Sequence, residues 1–212
     1  MARPQPPVGQ GLGELHRKLN CVGLHLCTRP AKALFWIRSE RATLLRKLHR
    51  LIPPESHDNV LLQDTLQVQN RTLLGSAEPV TVYRARMQGE PVALVIEALA
   101  PDGYSGTIRL LVGINIDGSL GGVRVVAHRE TPGLGDAIEE ERSGWILGFT
   151  GKSLQDPVLQ KWAVKKDGGA FDQLTGATIT PRAVVKAVRQ ALLYYRDQKE
   201  ALFAQGETTD QP

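Results

Sequence analysis

The turns leave this chain the least freedom. Runs rich in β-formers at 107–116 and 123–128 flank Asp117-Gly118, a dipeptide suited to a tight hairpin because its residues tolerate positive φ. A second pair, 80–87 and 92–99, is joined by Gln88-Gly89-Glu90, and residues 80–87 alternate β-formers with polar Arg84 and Arg86. Connections this short admit only antiparallel neighbours. The middle of the chain is therefore expected to be an antiparallel sheet of about four or five strands with helices covering a face, an α+β fold.

Helical periodicity brackets that sheet. Ser39 is a candidate cap for a helix whose Leu44, Leu45, Leu48 and Leu51 form one stripe, and Pro53-Pro54 stops it. Residues 58–64 suggest one further helical turn, and residues 137–142 a short helix. The last helix, 182–203, places Ala183, Val184, Ala187, Val188, Ala191, Leu192 and Tyr195 on one side. Thr180 suits its N-cap and Pro181 its first position, which puts Thr178 two residues ahead of the cap. Unpaired amides and the positive end of the helix dipole favour an anion there, a phosphate first. Gly176 and Ala177 have almost no side chain, so a bulky group can approach the Thr178 hydroxyl. The competing reading of Thr175-Gly176-Ala177-Thr178 is a capped loop and nothing more.

Composition narrows the classes. The 212 residues, 42% of them hydrophobic, suffice for one ordinary core plus a tail or anchor. The net charge of +4 is unevenly distributed: residues 1–50 hold ten Lys/Arg and two Asp/Glu, leaving 16 basic against 20 acidic residues beyond. The mildly acidic remainder argues against nucleic acid. Cys21 and Cys27 both lie in the leader, and neither a CxxC pair nor a Cys/His zinc spacing occurs, so no metal is expected. His49 and His57 read as surface histidines. Gly151-Lys152-Ser153 mimics the end of a P-loop, but Ile146 stands where its first glycine belongs. With no Ser/His/Asp set or carboxylate pair, no residue is assigned as catalytic.

Four ordered stretches carry a resemblance. Asp172-Gln173-Leu174-Thr175-Gly176-Ala177-Thr178, followed by Ile-Thr-Pro-Arg-Ala-Val-Val, resembles the flavinylation motif of the G subunit of the Rnf (Rsx) ion-translocating electron transport complex. Ala100-Pro101-Asp102-Gly103-Tyr104-Ser105-Gly106, Glu130-Thr131-Pro132-Gly133-Leu134-Gly135-Asp136 and Trp162-Ala163-Val164-Lys165-Lys166-Asp167-Gly168-Gly169 resemble the same family, and the likeness covers roughly residues 44–198. The resemblance implies FMN joined to Thr178 by a phosphoester bond, made from FAD by a separate flavin transferase, with Asp172 as the acidic residue that opens the motif. It also implies partners in the other subunits of the complex, electron flow between ferredoxin and NAD coupled to ion movement, or the reduction of an iron–sulfur redox sensor. By motif position Thr131, Gly133 and Leu134 would border the isoalloxazine, where backbone amides tune its redox chemistry. Tyr104 would stack on the ring or plug its loop, and Lys165 would reach the phosphate or stay solvated. Thr175, Gly176, Ala177 and Thr180 complete the candidate set. Two alternatives stand beside this one: the C subunit of the sodium-translocating NADH:quinone oxidoreductase, which shares the motif, and a non-redox assembly domain.

The leader departs from the family, which has a membrane-spanning helix there and places its flavin domain on the periplasmic side of the bacterial inner membrane. Residues 21–37 are broken by His25, Arg29, Pro30 and Lys32, and a span needs about 20 mostly apolar residues. A soluble form, a membrane-surface helix or an altered leader would account for it, and the last is favoured because the likeness begins only afterwards. The expected organisation is a basic leader at 1–38, a stalk helix at 39–57, an FMN-binding domain at 58–203 and a disordered polar tail at 204–212.

Overall fold

The computed structural model describes residues 29–204. Cys21, Cys27, His25 and the tail from 205 onward lie outside the described residues, as does the leader up to residue 28. The chain falls into two units that divide between Thr43 and Leu44. Described residues of the first are the opening of helix α1 (Arg29–Leu51); the second begins with that helix's last two turns and holds everything after it.

Five strands, β1 (Thr65–Val68), β2 (Val80–Met87), β3 (Glu90–Ala100), β4 (Ile108–Asn115) and β5 (Leu120–Ala127), form one sheet in the order in which they occur. Every neighbour is antiparallel, and in the centre Val82, Ile96, Val112 and Val123 lie opposite one another. Gly118, at φ 86°, closes the β4–β5 turn as its dipeptide foretold. β1 is the strand the alternation does not reveal: only four residues long, it joins β2 through helix α2 (Arg71–Leu74) rather than a tight turn. Asn70 caps α2 by accepting from the Leu73 amide at 2.8 Å, and Gly75 ends it in the left-handed region.

The sheet is buried on two faces. Leu94 and Ile96 of β3 enter a core with Leu110, Val112 and Ile114 of β4 and with Val184, Val188 and Leu192 of the long helix α3 (Ile179–Phe203). The alternate residues Ala93 and Val95 turn the other way, into a smaller core with Leu48, Leu51, Ile52 and Leu61. An aromatic group of Phe149, Trp162 and Phe171 extends the first core, with Phe149 and Phe171 stacked at 4.7 Å between centroids.

Three local expectations are corrected. α1 begins at Arg29, so Ser39 lies inside it rather than at its N-cap position. Residues 58–64 are turns rather than a helix, because Asp58, Asn59 and Asp64 spend their side chains on β2 and the turn after it: Asp58 accepts from the Gln88 amide, Asn59 donates to the Arg84 carbonyl, and Asp64 pairs with Arg84 and Arg86. Residues 137–142 hold only the end of a 3-10 turn, Gly135–Ile138, since the Ser143 hydroxyl donates to the Ala137 carbonyl that a continuing helix would need. The Gly151-Lys152-Ser153 string also has a backbone explanation: the Gly151 amide donates to Leu120 and the Leu120 amide to Lys152, which ties the string to the start of β5.

Candidate functional site

The site follows from the meander. β3 ends at Ala100, β4 begins at Ile108, and Arg109 lies opposite Ala127 at the end of β5. The loop after β3 and the loop after β5 therefore leave the same end of the sheet, and the first turn of α3 meets them there. Among them lies a cavity of about 380 Å³ lined by residues of all three segments: Tyr104; Glu130, Thr131, Leu134 and Gly135; and 176–180. That volume lies in the roughly 300–1,000 Å³ range of small-molecule clefts.

At the mouth of α3 the structure corrects the predicted cap. The helix starts at Ile179, so its N-cap is Thr178, and Thr180 sits in the first turn with Pro181 behind it. Pro181 is still tolerated, because a first-turn amide has no partner within the helix to lose. Thr180 does not cap, because its hydroxyl donates to the Glu130 carboxylate, in a position 1% exposed. Thr178 holds an αR conformation, φ −97° and ψ −35°, and its side chain makes no capping hydrogen bond. A capping threonine would be extended, with its oxygen spent on an amide of the first turn; this one, half-buried on the cavity wall, keeps its hydroxyl free of that duty.

Exposed apolar side chains surround the opening: Tyr104 is 66% exposed, Ile179 46% and Leu134 42%. Leu134 leans over Gly176, where an added Cβ would meet its Cδ2 at 2.6 Å. A flat apolar ring placed here would be bordered by these residues, with an anion near the α3 amides.

Of the predicted residues, the structure brings Tyr104, Thr131, Leu134, Gly176, Ala177, Thr178 and Thr180 to this cavity. Lys165, Asp172, Thr175 and Gly133 stand outside it. Lys165 and Asp172 pair with each other at 2.5 Å on the surface, with 59% and 71% of their side chains exposed. The Trp145 indole donates to the Asp172 carbonyl, and Arg182 makes two hydrogen bonds to Asp167 at 2.6 and 2.5 Å, so the strap 162–174 is held beside the helix start. Sequence reasoning missed Glu130, Gly135 and Ile179. The only signal for Glu130 was its place at the head of a glycine-rich string; its partner is fifty residues away. His49 and His57 are half-buried, their ring centroids 5.9 Å apart, away from the cavity.

Comparison with known proteins agrees with this geometry. Residues 103–193, which span the cavity loops and most of α3, match the FMN-binding domain family model. The fold is thus that of a flavin-binding domain, with FMN as its cofactor. Over longer stretches the chain is 54% identical to the G subunit of the ion-translocating oxidoreductase complex of Pseudoalteromonas atlantica, covering 76% of this chain and 75% of that one. It is 53% identical to the protein of the same name from Pseudomonas aeruginosa, covering 80% and 79%, and 51% identical to that of Vibrio atlanticus, covering 79% and 80%. The chain belongs to the G-subunit family of the ion-translocating oxidoreductase complex, rather than to the quinone-reducing alternative. Among the described residues no helix is long and apolar enough to cross a membrane.

Proposed function

We propose that this protein carries electrons, within an ion-translocating oxidoreductase complex, through FMN esterified to the Thr178 hydroxyl. One observation carries the reading: Thr178 is a helix N-cap that does not cap, and its side chain lies on the wall of a 380 Å³ cavity at the start of a 25-residue helix. The phosphate of the ester would sit at the amide end of α3, where the dipole favours negative charge. The flavin supplies the redox chemistry. The chain's own residues supply placement: Tyr104, Leu134 and Ile179 border the apolar ring, and Thr131 and Gly135 bring backbone close to it.

A tether suits a carrier better than reversible binding. It removes the dependence on free flavin and fixes the reach to redox partners, an effective-concentration gain. The reaction we assign to maturation joins Thr178 Oγ to the FMN phosphorus of FAD, breaks the pyrophosphate bond, releases AMP and gives up the hydroxyl proton. A flavin transferase catalyses it. In the same reading residues 39–57 are a stalk, residues 58–203 hold the flavin, and the flavin domain faces the periplasm from a complex in the inner membrane.

Co-production with a flavin transferase, followed by intact mass and in-gel fluorescence after denaturation, tests the attachment. The wild-type chain is expected to gain the mass of one FMN minus water and to fluoresce; Thr178→Ala is expected to do neither. A dark wild type, or a Thr178→Ala chain that fluoresces equally, sinks the proposal.

A further inference from the structure

Glu130 carries the one carboxyl group among the residues lining the cavity, and it is 4% exposed. Dipoles meet its oxygens: Oε1 accepts from the Ser105 amide at 3.0 Å, and Oε2 accepts from the Thr180 hydroxyl. Both bonds are donated to it. The surroundings leave room for this group and little else. A Cβ at Gly135 would lie 2.9 Å from the Glu130 Cβ, and one at Gly103 would lie 3.0 Å from its Oε1. The carboxylate thus joins the loop after β3, the loop after β5 and the first turn of α3, the three segments that form the cavity.

A carboxylate at this place acts on the cavity through a medium in which charge is poorly screened. Adding electrons to a neighbouring ring then works against that charge. We infer that Glu130 is a positioning residue whose buried carboxylate drives the flavin's reduction potential down, acting through the field it holds in the cavity wall. The inference rests on the flavin reading above.

Two substitutions separate charge from packing. Glu130→Gln keeps the shape, still accepts from Ser105 and can donate to the Thr180 oxygen, but removes the charge. Thr180→Val keeps the charge and removes one of the two dipoles that offset it. The full chain, co-produced with a flavin transferase, is titrated spectroelectrochemically at pH 8, with intact mass reporting attachment. The midpoint potential is expected to move positive in Glu130→Gln and negative in Thr180→Val. General loosening of the site would move both the same way. An unchanged or more negative potential in Glu130→Gln overturns the inference. If that variant takes no flavin, Thr180→Val decides alone: a negative shift supports the inference and a positive or absent shift overturns it. A wild type that takes no flavin removes the flavin reading and this inference with it.

Discussion

Thr178 and Thr180 differ by two positions, yet the fold gives their hydroxyls different work. One is tied to Glu130 in a site 1% exposed, and the other is left on the cavity wall without a capping bond. Glycines at the same place are as constrained as the threonines. At Gly135 an added methyl would press on the Glu130 Cβ at 2.9 Å and on the Thr180 Oγ1 at 3.0 Å, neither of which can swing aside. Gly135→Ala should cost about 1–3 kcal/mol, read as a lower Tm in differential scanning calorimetry. Gly176 has φ +78°, and the atom its methyl would meet is the movable end of Leu134. Gly176→Ala should cost about 1–2 kcal/mol for the left-handed backbone and should also push Leu134 out of place. Flavin attachment, followed by in-gel fluorescence, should therefore fall more than the melting temperature implies.

At the scale of elements, both ends of α3 are held by charge. At its C-terminus the guanidinium groups of Arg84 and Arg86 donate to the Ala204 and Phe203 carbonyls at 2.9 and 3.1 Å, placing cations at the negative end of the dipole. Asp64 holds both, at 2.5 and 2.9 Å, and all three side chains are less than 20% exposed. Asp64→Asn leaves two part-buried cations short of a counter-charge and should cost about 3 kcal/mol, measured by urea unfolding. At the N-terminus Arg182 pins the strap 162–174 through Asp167, and the hydrogen bonds from Arg182 hold the Asp167 carboxyl below its usual range. A depressed folded pKa means that the pair's contribution is present above the unfolded value of 3.8 and is lost as pH falls through the lower folded value. Cleavage by an acid-active protease in the strap should therefore rise over that interval. Asp167→Asn should show the same looseness at neutral pH, with trypsin cutting faster at Lys165 and Lys166.

For the whole molecule, the two cores meet base in the same way. Burial, with the Glu97 charge beside it, pushes the Tyr83 phenol up to about 12. Burial, with Asp117 nearby, does the same to Tyr195, whose hydroxyl donates to the Ile116 carbonyl at 3.0 Å. Because both folded values lie above the ordinary 10.0, the neutral forms stabilise the fold fully below pH 10 and lose that contribution as pH rises towards 12. Tyr83 belongs to the smaller core and Tyr195 to the larger. Tyr83→Phe and Tyr195→Phe should each flatten the fall in Tm between about pH 9 and about pH 11.5, and the double variant should flatten it further.

Local physics in the chain determined much of this protein. Tight turns at Gln88-Gly89 and Asp117-Gly118 forced the antiparallel meander, and the apolar spacing of 183–195 marked the buried side of α3, while the flavin came only from the resemblance of four ordered stretches to a known family. The turns and the spacing are legible because each depends on residues within a few positions of one another. Tertiary structure alone decided which of two threonines stands at the N-cap of α3, that β1 exists as a strand, and that Glu130 is buried against Thr180. Each of those depends on a partner that folding brings from far along the chain: Thr180 gives up its cap because a carboxylate from another loop accepts its hydrogen bond. No periodicity or local propensity records where that carboxylate will be.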